Sequence, residues 1–278
     1  MKPKNIRANL RAKLEDWAKT LPEREATIAL KEAIVTGGSI ASMLLGEKVN
    51  DVDVYFRSPW AAEEIARHYL TIVNKTRTRS IWSQREGERV RILVGGEGLA
   101  IEEESEEEIS LLPTTEEKSK EKYRVVFISS NAISLSDDLQ LVVRFTGPPE
   151  EIHKNYDYVH CTCSYDYAND SLVLPPAALV SLLNRELRYV GSRYPICSLI
   201  RMRKFLSRGW HISAGQILKM AFDISQLDLN DCRVLQEQLV GVDASYFVQL
   251  ISLLREKSRN SDAIDRTTLI ELVDKVFE

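Results

Sequence analysis

Thr36-Gly37-Gly38-Ser39 and the run Asp51-Val52-Asp53-Val54-Tyr55-Phe56 hold the residue types in this chain best suited to chemistry. Glycine lets the backbone approach a ligand closely. N–H groups that open a helix after such a turn, here at Ser39 and Ile40, would face a phosphate. Asp51 and Asp53 are two positions apart, so on a strand their carboxylates share one face. Two carboxylates so close repel each other, and a hard divalent cation such as magnesium relieves that repulsion. Val52, Val54 and Phe56 are types expected on a buried face, which leaves the aspartates pointing to a cleft. Each part has a plainer reading, since many Gly-Gly-Ser turns only connect elements and two aspartates can sit on a solvated strand edge. Together they describe an apparatus for a nucleoside triphosphate and its metal.

The elements that must position these residues follow from periodicity. Residues 4–19 and 23–33 read as helices, the first with Ile6, Leu10, Leu14 and Trp17 at helical spacing. Val35 leads into the glycine turn, residues 39–46 form a short helix ending at Gly46, and residues 51–56 alternate as a strand. Ser58-Pro59 starts a helix running to about Leu70. Strands are expected over 89–94, 123–129, 131–135 and 139–145, all rich in β-branched and aromatic residues. After Pro148-Pro149 a further strand, 156–163, pairs in a hairpin with 171–174 across Asn169-Asp170.

Residues 96–122 carry the acidic run Glu102-Glu103-Glu104-Ser105-Glu106-Glu107-Glu108 and read as a solvated, mobile insertion. From Pro175-Pro176 onward strand-like alternation gives way to helical period, with a capping-box start at Ser213-Ala214-Gly215-Gln216. Further helices are expected over 231–241, 243–257 and 264–277. The predicted fold class is α+β, with a mixed-sheet catalytic domain over 1–175 followed by an all-helical domain over 176–278.

A net charge of −4 over 278 residues gives no global attraction to nucleic acid. Locally the balance reverses. Residues 176–215 hold Arg185, Arg188, Arg193, Arg201, Arg203, Lys204 and Arg208 against Glu186, as a surface for a triphosphate or RNA backbone would, or as a solvated helix face would. Cys161, Cys163, Cys197 and Cys232 form no C-x-x-C pair, and His160 beside Cys161 lacks the spacing of common zinc sites, so reduced thiols are expected. No apolar run is long enough to span a bilayer, and the opening Met1-Lys2-Pro3-Lys4-Asn5-Ile6-Arg7 lacks the core of a signal peptide. A cytoplasmic location is expected.

Gly38-Ser39, the eleven residues that follow, and Asp51-Val52-Asp53-Val54 resemble the DNA polymerase β-type nucleotidyltransferase superfamily. Its pattern continues with a third carboxylate on a later strand. Asp157, in Asn155-Tyr156-Asp157-Tyr158-Val159-His160, is the best match, ahead of Asp166, Asp170 and the turn-like Asp137-Asp138. The resemblance implies a two-metal mechanism with Mg2+ or Mn2+. Asp51 and Asp53 would hold the nucleotide-bound ion, and all three aspartates a second ion that activates an acceptor hydroxyl. Gly37, Gly38 and Ser39 would cradle the triphosphate.

Pro195, then Arg201-Met202-Arg203-Lys204-Phe205 and Gly209-Trp210-His211-Ile212, are similar to the neck of bacterial poly(A) polymerases and CCA-adding enzymes. That likeness implies that Arg201 and Lys204 face the nucleotide, which would make this an ATP-binding, RNA-binding protein, and it supports an RNA 3′ end as the acceptor. The Glu-Asp-x-x-Arg signature that selects C and A is absent, and the chain leaves little room for a tRNA-gripping body, so a CCA-adding role is not expected. Nucleotidylation of a protein or small molecule is the alternative, and a non-catalytic nucleotide-binding module the third.

Overall fold

The computed structural model describes residues 1–75, 80–87, 89–94 and 121–229, together with Val234, Gln238 and Asp274. The chain divides into two compact units, Met1–Val190 and Gly191–Glu278. The division falls after Val190 rather than residue 175, because the helix opened by Pro175-Pro176 packs on a turn of the first unit.

The first unit opens with helices α1 (Pro3–Ala18) and α2 (Glu23–Glu32). Ile6, Leu10, Leu14 and Trp17 line the buried stripe of α1, as their spacing predicts. The indole of Trp17 donates to the Tyr69 hydroxyl at 2.8 Å, which fastens α1 to the long helix α4 (Pro59–Asn74). Ser58 caps α4 by accepting from the Ala61 amide, with Pro59 at the first helical position; the helix runs a turn past Leu70.

The central strands β1 (Ala33–Thr36) and β2 (Val52–Phe56) flank α3 (Gly38–Leu45), which is closed by left-handed Gly46. Next come β3 (Ile81–Glu86), β4 (Arg89–Val94), β5 (Val125–Ile128), β6 (Ala132–Leu135), β7 (Leu139–Thr146), the short helix α5 (Pro149–His153), β8 (Ser164–Asp166), β9 (Ser171–Val173) and α6 (Pro176–Asn184). Seven strands form one mixed sheet in the order β5-β6-β7-β2-β1-β8-β9. Only the β2–β7 pair is parallel; the other neighbours run antiparallel. All four residues of β1 are buried, as befits a strand covered on both faces. The fold class is α+β.

Three elements depart from the sequence reading. The hairpin partner of β4, β3, is new, since Ile81-Trp82-Ser83-Gln84-Arg85-Glu86 carries little β-branched content. The expected strand over 156–163 is instead a bend at Asp157, a bridge from Tyr158 to Tyr189, and a 3-10 turn over Val159–Cys161. Only from Ser164 does the chain enter the sheet, and the hairpin to β9 then forms with Asp170 at a positive φ of 47°. Ser213 does precede a helix, but its side chain makes no capping bond.

Described by itself, the second unit holds α7 (Pro195–Leu206) and α8 (Ala214–Ser225), with the extended pair His211–Ile212 between them, so it is helical with one short extended piece among the described residues. Trp210 is buried and meets Phe205 edge-on at 5.5 Å, which makes the pair packing rather than an open base platform. The acidic run and Cys232 lie outside the described residues, as do the three helices expected beyond residue 230 apart from Val234, Gln238 and Asp274.

Candidate functional site

β1 ends at Thr36 and α3 begins at Gly38, so a single residue makes the turn between them. Gly37 adopts φ 107° and ψ −157°, a region open in practice to glycine alone. Its amide donates to the Cys161 carbonyl at 3.2 Å. The buried Thr36 hydroxyl donates to the Cys163 carbonyl at 2.9 Å and lies 2.8 Å from His153 Nε2. Since a hydroxyl has one proton, His153 is the donor in that second contact. Burial lowers the His153 imidazole pKa, against the nearby charge of Glu150, which favours this neutral form. The 3-10 turn and α5 therefore clasp the residues on both sides of the bend.

The front of the turn meets β2. A Cβ at position 37 would stand 3.0 Å from Asp53 Oδ2 and 3.5 Å from the Tyr156 hydroxyl. The glycine turn and the Asp53 carboxylate, separated by a helix in sequence, are thus in contact. Asp53 is half-buried within the strand, whereas Asp51 is exposed just before its first residue. A Cβ at Gly38 would meet nothing within 4 Å, so open space lies before the start of α3. The Ser39 hydroxyl is sealed from solvent with no hydrogen-bond partner. A desolvated hydroxyl left unpaired is costly, and here it sits in the first turn of a helix whose free N–H groups favour an anion. Gly37 thus faces Asp53, with Gly38 and Ser39 next to it in the chain and Asp51 two residues before Asp53.

Asp157 stands apart from this set in one respect. Among the described residues no three His, Cys, Asp or Glu side chains gather into a group able to hold a metal. Asp157 lies in the bend after α5, not on a strand; it is buried, and its carbonyl accepts from the Val190 amide at 2.9 Å. The strand beside β2 is β7, and its register sets Gln140 opposite Asp53. A neutral amide, donating to Ser134 Oγ at 3.2 Å, fills the place beside the aspartate on that strand.

The other acids have structural work. Asp137 accepts from the Tyr123 amide and Ser136 Oγ in the β6–β7 turn. Asp166 pairs with Arg57, and Asp170 accepts from the Tyr165 hydroxyl. His160 is buried and stacked on Tyr158; burial drops its imidazole to about 4, against the opposing charge of Asp157. The Cys163 thiol is pushed up to about 11 by burial, far from a reactive thiolate.

Arg201 and Lys204 lie on the exposed side of α7 in the second unit. In the first unit, Arg185 meets Glu47 at 3.0 Å and Arg188 meets Glu186 at 3.2 Å, so these two cations of the basic stretch are spent on ion pairs. Tyr189 is buried edge-on against Tyr158.

The sequence pattern assigned no role to Thr36, His153 or Tyr156. Tyr156 was visible only as the neighbour of Asp157, and the Thr36–His153 contact joins residues 117 apart, beyond any local spacing signal.

The fold and this corner define an α+β protein in which a glycine turn opens a helix against a strand aspartate. The chain matches the model of the Gabija anti-defense 2 (Gad2) family over residues 8–185 and belongs to that family. It is 21% identical over 262 residues to "Gabija anti-defense 2" of Bacillus phage SPbetaL7, covering 91% of this chain and 53% of the phage protein. Among solved structures it is similar to the Thermotoga maritima CCA-adding enzyme complexed with tRNA (11% identical, 90% of this chain and 53% of that one, TM-score 0.42). It is likewise similar to the Bacillus stearothermophilus CCA-adding enzyme in complex with CTP (14% identical, 80% and 47% covered, TM-score 0.40). The chain spans about half the length of each of these proteins. No helix among the described residues is long and apolar enough to cross a membrane.

Proposed function

We propose that this chain is a metal-dependent nucleotidyltransferase that moves a nucleoside monophosphate from a nucleoside triphosphate to an acceptor hydroxyl, with pyrophosphate leaving. The observation that carries the reading is the contact of Gly37 with Asp53 at the open start of α3. It supports the reading because a helix terminus suits a phosphate and a neighbouring carboxylate suits a cation.

The donor set fits magnesium or manganese. Such an ion commonly takes one or two carboxylates from protein and the rest of its shell from substrate phosphates and water. Asp51 and Asp53 supply that number, and the orphaned Ser39 hydroxyl with the free space at Gly38 suits the phosphates. When bound, the ion would neutralise phosphate charge and lower the pKa of the acceptor hydroxyl. The chain's own part is distinct. The first-turn N–H groups of α3 bind the triphosphate and stabilise charge growing on its oxygens, and Ser39 donates to it. Asp157 belongs to the wall of the site, through its neighbour Tyr156. With Gln140 beside Asp53, this corner suits a single ion.

Family membership favours a component of the Gabija system as the acceptor, with nucleotidylation as the anti-defence act. The neck-like Arg201 and Lys204 favour the second reading, an RNA 3′ end. Incubation with each α-labelled triphosphate, magnesium or manganese, and either purified Gabija components or total RNA separates the two. Labelled Gabija component supports the first and labelled RNA the second. Triphosphate binding with no transfer to either would make the chain a non-catalytic binder and overturn the proposal. Arg201→Ala with Lys204→Ala tests the neck contribution, as weaker triphosphate binding.

A further inference from the structure

The Tyr156 hydroxyl presents a problem that the proposed chemistry does not itself explain. The ring packs against the cluster of Ile34, Tyr55 and Ile152 and is partly exposed, yet its oxygen is sealed from solvent without a hydrogen bond of sound geometry. Phenylalanine would fill the same place without stranding an oxygen. The hydroxyl is aimed at the functional corner: it lies 3.5 Å from the position a Gly37 Cβ would take, and Asp53 Oδ2 lies 3.0 Å from that same point. The two oxygens are therefore no more than 6.5 Å apart, across a gap that only glycine leaves empty. His153, 5.1 Å away ring to ring, and Tyr55, at 6.3 Å, fix the ring from two sides.

We infer that Tyr156 is a positioning residue for Asp53, donating its hydroxyl proton to Oδ2 when the other carboxylate oxygen takes a divalent cation that arrives with a nucleoside triphosphate. This rests on the nucleotide-site reading above. No proton is transferred: the phenol stays a donor and the carboxylate stays ionised. The phenol is a donor by its ordinary chemistry, and its own polar neighbours are Tyr55 and Thr36, neither of which gives it a hydrogen bond of sound geometry. Carboxylates that hold metals are characteristically themselves hydrogen-bonded, and losing such an outer contact costs about 10- to 100-fold in metal affinity. The hydroxyl is thus poorly satisfied without ligand and satisfied with it, which separates its role from packing.

Tyr156→Phe tests this by two readouts, of which affinity must fall while stability must not. Binding of Mn2+ together with each of ATP, GTP, CTP and UTP is followed by calorimetry and by the Mn2+ resonance signal, and melting is followed without metal. The expected result is affinity for Mn2+ plus the preferred triphosphate reduced about tenfold, with an unchanged or higher melting temperature in the ligand-free protein. Equal affinity in the two proteins overturns the inference, as does a lower melting temperature, which would make the hydroxyl structural. Failure of the wild-type protein to bind any Mn2+–triphosphate pair would instead sink the nucleotide-site reading itself.

Discussion

Gly37 faces Asp53 across a space no larger than a methyl group would fill: a side chain on the glycine would begin 3.0 Å from the carboxylate Oδ2. A turn and a strand residue sixteen positions apart in sequence are thereby held as one surface, and the glycine is needed both for its φ of 107° and for the missing Cβ. Gly37→Ala is expected to destabilise the protein by about 1–3 kcal/mol from backbone strain and to abolish metal–triphosphate binding. Gly38→Ala, with no atom within 4 Å of its Cβ and no positive φ, is expected to leave thermal stability within about 0.5 kcal/mol of wild type. Paired melting curves check the contrast.

Ser39 carries the second expectation. Its hydroxyl is buried without a partner, so Ser39→Ala should leave the ligand-free protein as stable or up to about 1 kcal/mol more stable. The same variant should bind triphosphate several-fold more weakly, about the worth of one hydrogen bond. Denaturant unfolding and equilibrium binding on one preparation would reveal an unchanged affinity, which contradicts a phosphate contact.

Asp157 and Asp53 should separate. Asp53→Asn is expected to lower affinity for Mn2+ plus triphosphate at least a hundredfold. Asp157→Asn should change it by less than about threefold, because Asp157 is buried in the bend after α5, whereas Asp53 on β2 faces Gly37. Equal losses in the two variants would restore the three-carboxylate arrangement that the sequence resemblance implies.

His160 makes stability fall with acid. Its folded pKa of about 4 lies below the ordinary 6.5, so the unfolded chain binds the proton more readily. Its contribution is complete above pH 6.5 and is lost as pH falls toward 4, at most about 3 kcal/mol. Urea unfolding at a series of pH values should show this slope, and His160→Gln should flatten it. An equal slope in both proteins assigns the effect elsewhere.

Much of this was legible in the sequence for identifiable reasons. Ile6, Leu10, Leu14 and Trp17 report α1 because a helix repeats its buried face at that spacing. Gly46 and Ser58-Pro59 mark helix ends through local backbone chemistry. The convergence of Gly37–Ser39 with Asp53 could be read because one short helix connects them. The stretch 156–163 misled because its aromatic and β-branched residues suit a strand, whereas the chain there bends to bring the Cys161 carbonyl to the Gly37 amide. Gln140 beside Asp53 was hidden for a related cause. The register of β7 on β2 is set by pairing across the whole sheet, and no local pattern records it.

The most direct test of the central claim is pyrophosphate release from a labelled triphosphate, with magnesium and the acceptor, by wild type and by the Asp51→Ala, Asp53→Ala double variant. Magnesium-dependent release by the wild type, and none by a double variant that melts normally, is the predicted result. Undiminished release by the double variant would contradict the assignment of the site.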